Sequence, residues 1–437
     1  MINKITTIIF ILNFCIINNL HCEFEPPMEV RYIRAFGDDV TKPPVIFLEN
    51  SNLKLLSTTR VPAPFTNEKI NIELDLYSSK SPSLYAKFIH CNADWTESNN
   101  VFMNDVTNRT SNIDILRAPV YSDYFTYRAT LQIPNNQIKF RFAGNWKVVF
   151  YNYDDNEKIA ETKIFVVNQL VNVDLNIAPD QYISKFKVNN SGLIIDVIIN
   201  GNNNLLDNQV NSVVLYKNNR WFEPYYISNN NLKNTNDKFR YNLSASNRGF
   251  LSYGKTFRIA GMPAENCYRV IDLSSTVYFP RLLSGSSKLP LPDLIRNGNC
   301  DFLDDDGANL LGFSQTQIDD YINFEFVLDP MNNVSNDIVF VSGSFNNFRP
   351  DKNWIMKYDK EDKKYKLTQL IKRGKHNYLY GSGELNIDDN FMKNYSYDYF
   401  EGNTIFHNHT YFAFVYYKEI EYGGFDTIVG VAFNKIR

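Results

Sequence analysis

Few side chains in this sequence are spaced for chemistry. His90 and Cys91 are adjacent in a run that has the pattern of a strand (residues 85–91, YAKFIHC). Neighbouring strand residues face opposite sides of a sheet, so the two do not share one nucleophilic site. His90 with Asp94 offers two ligands for a cation, short of the four that a structural zinc takes. His407 and His409 lie two apart, on one face of any extended segment, with no third ligand nearby in sequence. Asp304, Asp305, Asp306 and Gly307 imitate part of a calcium loop. In EF-hand register, however, the first and twelfth positions are Phe302 and Phe313, which bring no side-chain oxygen. No G-x-S-x-G, Walker loop, H-E-x-x-H or dinucleotide glycine pattern is present. The expectation is no catalytic residue, no metal site, no cofactor and no enzyme activity.

The elements around these residues are strands almost throughout. Ile70–Tyr77 (INIELDLY) alternates apolar and charged residues with period two. Residues 124–133 form another run that stops at Pro134. Residues 146–153 and 159–167 flank Asp154-Asp155-Asn156-Glu157 and predict a hairpin. These strands outline a first β-sandwich over residues 28–168. A second begins at Val171 and covers residues 170–282. It has an apolar central strand at 192–200, a strand at 213–221 with a turn at Asn218-Asn219, an Asn-rich loop at 229–237, and shorter strands at 257–259 and 277–279. Residues 283–318, rich in Ser, Gly and Pro at their start, have the composition of an extended connector. A third sandwich of six or seven strands is expected over residues 319–437, closed by the runs at 411–417 and 427–433. The predicted class is all-β, with consecutive immunoglobulin-like β-sandwich domains.

Composition supports strands and limits partners. The 437 residues are 44% hydrophobic and 15% aromatic, and Asn occurs 57 times. Basic and acidic residues are interspersed and nearly balanced, with a formal charge of −3, so no nucleic-acid partner held by phosphate contacts is expected. Lys4 is the only Lys or Arg before Arg31, and an interrupted apolar run follows it, too short to span a bilayer. Residues 1–22 therefore predict a secretory signal peptide cleaved after Cys22. A lipoprotein signal would also place a Cys there, but Asn19-Leu20-His21 lacks the small residues of a lipobox. Cys91, Cys267 and Cys300 remain. They allow at most one bridge, for which Cys267 with Cys300 is the candidate, and Cys91 suits a buried apolar site.

Two resemblances emerge from longer stretches. Residues 339–348 (VFVSGSFNNF), 354–357 (WIMK) and 374–378 (GKHNY) follow the order seen in glycogen-binding modules of the early-set immunoglobulin-like sandwiches. That resemblance implies a sugar site with Phe348 and Trp354 as stacking platforms, Phe348 standing where those modules carry Trp. A second resemblance spans some 340 residues. His90-Cys91-Asn92-Ala93-Asp94-Trp95, Phe142-Ala143-Gly144-Asn145-Trp146 with Asp154-Asp155, Asn219-Arg220-Trp221, Asp320-Tyr321, Phe400-Glu401-Gly402-Asn403 and Tyr416-Tyr417 occur in the order of a known family. The chain thereby resembles the plug protein of the type IX secretion system of Bacteroidetes, formerly a domain of unknown function. Trp146 replaces the family's Tyr, and the segment around Phe257-Arg258 lacks the family's acidic end.

The resemblance implies a periplasmic subunit at the inner face of the outer membrane. Its partner would be the large β-barrel translocon, whose periplasmic opening it closes when no cargo is engaged. It also implies structural or interface roles for His90, Cys91, Asp94, Trp95, Gly144, Asn145, Arg220, Trp221, Gly402, Tyr416 and Tyr417. The alternative function is a periplasmic or surface glycan-binding protein. For the plug function the modules are expected to stack as a rigid rod.

Overall fold

Strand alternation decides the local structure, and the long apolar runs decide how strands stack. A computed structural model describes residues 28–56, 67–105, 107–183, 188–200, 205, 209–228, 242–247, 255–281, 285–296, 298, 319–404 and 409–436. The expected signal segment, the Asn-rich loop at 229–237, the acidic run at 304–307, Cys300 and His407 lie outside the described residues.

The first domain is a sandwich as expected. One sheet runs Glu29–Phe36, Ile70–Tyr77, Tyr127–Ile133, Asp114–Arg117. The other runs Val45–Phe47, Lys158–Val167, Gly144–Asn152, Leu84–Cys91, Arg109–Thr110. Ile70, Ile72, Leu74 and Leu76 face inward against Phe88, Trp146, Val148 and Phe150 from the opposite sheet.

The middle and third domains depart from the expected boundaries. Thr410–Glu419 pairs with Val210–Lys217, and Phe425–Lys435 pairs with Thr410–Glu419, so the two last strands complete the middle domain rather than the third. The physical reason lies in the run TYFAFVYYKE, which is apolar on both faces and needs cover on both. Tyr411, Ala413, Val415 and Tyr417 enter the middle core with Val213 and Leu215. Phe412, Phe414 and Tyr416 point the other way, with Val214 and Tyr216, onto the first domain. The third domain is therefore an insert between strands of the middle one. Arg269–Asp272 pairs with Lys375–Leu385 and belongs to this insert.

Two smaller expectations are corrected too. Residues 277–279 form a turn, not a strand. The described part of the expected connector is not free: Ser287–Lys288 and Asp293–Leu294 add in parallel to Tyr321–Asp329, whose open edge they cover. The expectation of a rod also fails, because the first and third domains touch directly. Lys372 Nζ donates to Asp75 at 2.5 Å, Tyr321 OH donates to the same carboxylate at 2.8 Å, and Arg128 binds Asp75 and Asp319 together. Burial pushes the Asp75 carboxyl up, and the Lys372 and Arg128 charges outweigh that and hold it below the usual carboxylate range. Nearby, Asn347 Nδ2 donates to the Ile33 carbonyl at 2.8 Å and Ser122 Oγ to Asp320 at 2.9 Å. The first domain thus packs on both the middle and the third domains.

Candidate functional site

Most of the sequence motifs converge on the seam between the first and middle domains. At the end of Leu84–Cys91 the chain turns through Asn92-Ala93-Asp94-Trp95, with Trp95 at φ +68° and Asp94 accepting from the Thr96 amide and hydroxyl at 3.0 and 2.6 Å. Asp94 is exposed and serves this turn rather than a cation shared with His90. The turn throws Trp95 onto the middle domain, where its indole N–H donates to Tyr216 OH at 2.7 Å. The Ala93 amide donates to Asp426 at 3.0 Å. Asn145 is the complementary link: its Nδ2 donates to the Asn92 carbonyl at 2.9 Å, and its Oδ1 accepts from Tyr416 OH at 2.7 Å.

Aromatic rings fill the space between. Phe165 stacks on Phe414 with centroids 4.3 Å apart, while Trp95, Tyr216 and Trp221 meet its edges at 5.4–5.5 Å. Lys163 lies over Trp95 at 4.4 Å and Phe222 at 4.6 Å and donates to the Trp221 carbonyl at 3.3 Å. Burial, aided by the Arg349 charge, pushes its ammonium down to about 7.

His90 and Cys91 do fall on opposite sides. His90 meets Trp146 and Phe425 edge-on, and burial pushes its imidazole down to about 4. Cys91 is a free thiol inside the aromatic seam, pushed up to about 11 by burial, which leaves it protonated and without nucleophilic character at neutral pH. Gly144 is required where it stands. Its φ is +146°, and a Cβ there would come within 2.3 Å of His90 Nε2. Gly144→Ala should therefore cost at least about 2 kcal/mol of stability, read as a lower urea midpoint.

The remaining motif residues sit elsewhere. Arg220 is buried at the joint between the middle and third domains, bonded to Glu265 at 2.8 Å and Glu223 at 3.2 Å, with its guanidinium over Tyr397. Gly402, at φ +77°, ends the short helix Asp398–Glu401. Next to it, Glu401 accepts from Arg269 at 2.9 Å and from the Tyr380 amide at 2.8 Å. Tyr417 belongs to the middle core. His409 is buried against Asn218 and Tyr268. Among the described residues no group of three or more His, Cys, Asp or Glu could hold a metal ion. Cys267 is disulfide-bonded, and Cys300, the candidate partner, lies outside the described residues.

Phe348 overturns its expected role as a sugar platform. It is 1% exposed and packs on Tyr268 at 5.3 Å, because the backbone at Asn347 and Phe348 adopts positive φ and folds the ring inward. Trp354 is half-buried with one face stacked on Phe345 at 4.8 Å.

Sequence motifs missed Phe165 in the seam and the interdomain partners Asp75, Glu265 and Lys372. Lys372 lies on the face of its strand opposite the core residue Ile371, a face that the first domain covers, so alternation alone reads it as solvent-facing.

Residues 46–169 match the family model for the type 9 secretion system plug protein first domain. The first domain is a type 9 secretion system plug domain. The match runs from Ile46, inside Val45–Phe47, to just past the end of Lys158–Val167 and takes in Cys91, Ala93, Trp95 and Phe165 of the seam. A crystal structure of a hypothetical protein from Parabacteroides merdae ATCC 43184 shares the fold of most of the chain. It has a TM-score of 0.69 at 20% identity, over 93% of this chain and 97% of that one. A marsupial T cell receptor aligns at 11% identity over 54% of this chain and 85% of that one, but its TM-score of 0.18 carries no argument. No curated protein matches the sequence. The plug domain ties the chain to the type 9 secretion system and to the cell envelope. Its motif residues serve the packing of that domain on its neighbour.

Proposed function

We propose that this chain is a non-enzymatic plug subunit, located in the periplasm at the inner face of the outer membrane. It seals the periplasmic opening of the type 9 translocon barrel when no cargo is engaged. The observation that carries the reading is the plug first domain over residues 46–169, joined to two further sandwiches by an aromatic seam and buried ion pairs. A stopper has to keep its shape under load, and apolar interdomain faces with paired charges resist hinge motion. The chain's chemistry agrees: its one described free thiol is protonated and its most buried imidazoles are neutral and packed.

Deleting the gene should make cells permeable to antibiotics too large for porins. Affinity-tagged protein should recover a very large β-barrel from detergent-solubilised outer membrane. Unchanged permeability together with no barrel recovery would overturn the reading. Burial of Phe348 removes one of the two platforms on which the glycan alternative stood, and no observation favours it.

A further inference from the structure

We propose that the first and middle domains together form a docking site for a partner-protein segment carrying a bulky apolar side chain followed by a carboxylate. A cavity of about 480 Å³ opens in the first domain beside the seam, walled by Phe88, Met103, Phe140, Phe142 and Trp146. That volume accommodates one large side chain with its flanking backbone. The rings form a continuous lining: Phe140 lies 5.7 Å from Phe88 and 5.2 Å from Trp146.

The middle domain extends this lining outward. Tyr422, at the tip between the last two strands, packs on Phe142 at 5.6 Å and on Phe102 at 6.4 Å. The two loops are tied together by Asn100, whose Nδ2 donates to the Tyr422 carbonyl at 2.6 Å and the Gly424 carbonyl at 3.3 Å. Two large rings are thereby held in solvent at the cavity mouth, Phe102 65% and Tyr422 55% exposed, with the exposed Val101 and Ile420 on the same two loops. Fixed, clustered exposure of this kind marks an interaction surface.

Charge specifies the occupant. Lys139 and Arg141 stand exposed on the cavity wall and form no ion pair among the described residues. The one acid of the lining, the exposed Asp105, accepts from the Thr107 amide at 3.0 Å, so the lining carries two cations against one carboxylate. The mouth is therefore a cationic rim around an aromatic floor, complementary to an apolar anchor with an acidic neighbour. Asn108, Asn136 and Gln137 each spend one amide atom inside the protein, on Met103, Asn112 and Thr110 respectively, which leaves Asn108 Oδ1 as an acceptor and Asn136 Nδ2 and Gln137 Nε2 as donors for a peptide backbone. A concave, amide-lined site of this kind fits a protein loop, whereas a bilayer surface would touch only its rim.

The test uses the purified full chain and short labelled Gly/Ser peptides with central Phe-Asp, Phe-Asn, Phe-Lys or Ala-Asp, read by fluorescence anisotropy. The Phe-Asp peptide should bind at least about tenfold more tightly than Phe-Lys or Ala-Asp. Lys139→Glu with Arg141→Glu, both at exposed positions, should invert the Asp-over-Lys preference while leaving the unfolding midpoint unchanged. Equal binding of all four peptides, binding of none, or a preference that survives the charge reversal overturns the proposal. So does binding confined to phosphatidylglycerol vesicles. None of these measurements involves the translocon, so their failure leaves the plug reading standing, and a failed barrel recovery leaves this site to be judged by itself.

Discussion

Phe414→Ala should lower the free energy of unfolding by about 3–5 kcal/mol, the range for removing a fully buried phenyl ring. Phe414 has no exposed surface, stacks on Phe165 across the domain boundary, and meets Tyr216 edge-on at 5.7 Å. Its strand is packed on both faces, so neighbouring chains cannot collapse into the hole from either side. The substitution deletes contact in the first and middle domains at once. Urea unfolding of the wild type, followed by Trp fluorescence and by circular dichroism, should accordingly show one shared transition. In the variant the two signals should shift together to lower urea. Phe414→Leu, which keeps most of the volume, should lose less than half as much. A loss below about 1 kcal/mol for the alanine variant would mean that the seam is not packed as described.

The second large effect is a loss of stability in mild acid. Burial pushes the imidazoles of His90 and His376 down to about 4 from 6.5. His376 is held between Ser344 Oγ at 2.9 Å and the Lys372 carbonyl at 2.7 Å, with the Lys372 charge nearby, so the neutral ring is the form that fits. Because the folded values lie below the unfolded one, the unfolded chain takes up protons first as pH falls. Stability from these groups is complete above pH 6.5 and is lost as pH drops towards 4. At pH 5 the loss amounts to about 2 kcal/mol for each ring. Asp75 and Glu265, held low by Lys372 with Arg128 and by Arg220 with Lys217, keep their contributions through this window and give them up only in stronger acid. The urea midpoint should therefore fall clearly between pH 7.5 and 5.0. In His376→Gln the fall should shrink by the share of one ring, and an identical fall in the variant would rule that ring out.

Period-two alternation made the strands legible. Ile70–Tyr77, the hairpin of Gly144–Asn152 with Lys158–Val167, and the strictly alternating Tyr321–Asp329 stand where the pattern puts them. Partner choice was not legible, because a strand pattern says which faces need cover and not which strand supplies it. Val210–Lys217 and Thr410–Glu419 lie almost 200 positions apart, and no local signal joins them. The run at 411–417 did carry one clue: a strand of a single peripheral sandwich would alternate, whereas this one is apolar throughout. The motif residues were found, but their purpose was hidden. Trp95, Asn145 and Tyr416 bond to one another's domains, and the acid–base partners at Asp75 and Lys372 belong to no motif. Phe348 was misjudged for a local reason, since the left-handed backbone at Asn347 and Phe348 turns the ring into the core.

The nesting of the third sandwich inside the middle one has a consequence for biogenesis. As the chain emerges N-terminus first, Val213, Leu215 and Tyr216 arrive long before the strand that shields them. The half-built middle unit must wait, with greasy surface uncovered, while the whole insert emerges and folds. Only the arrival of the closing hairpin, Thr410–Glu419 with Phe425–Lys435, lets the molecule lock, so a clipped or stalled product remains open to proteases.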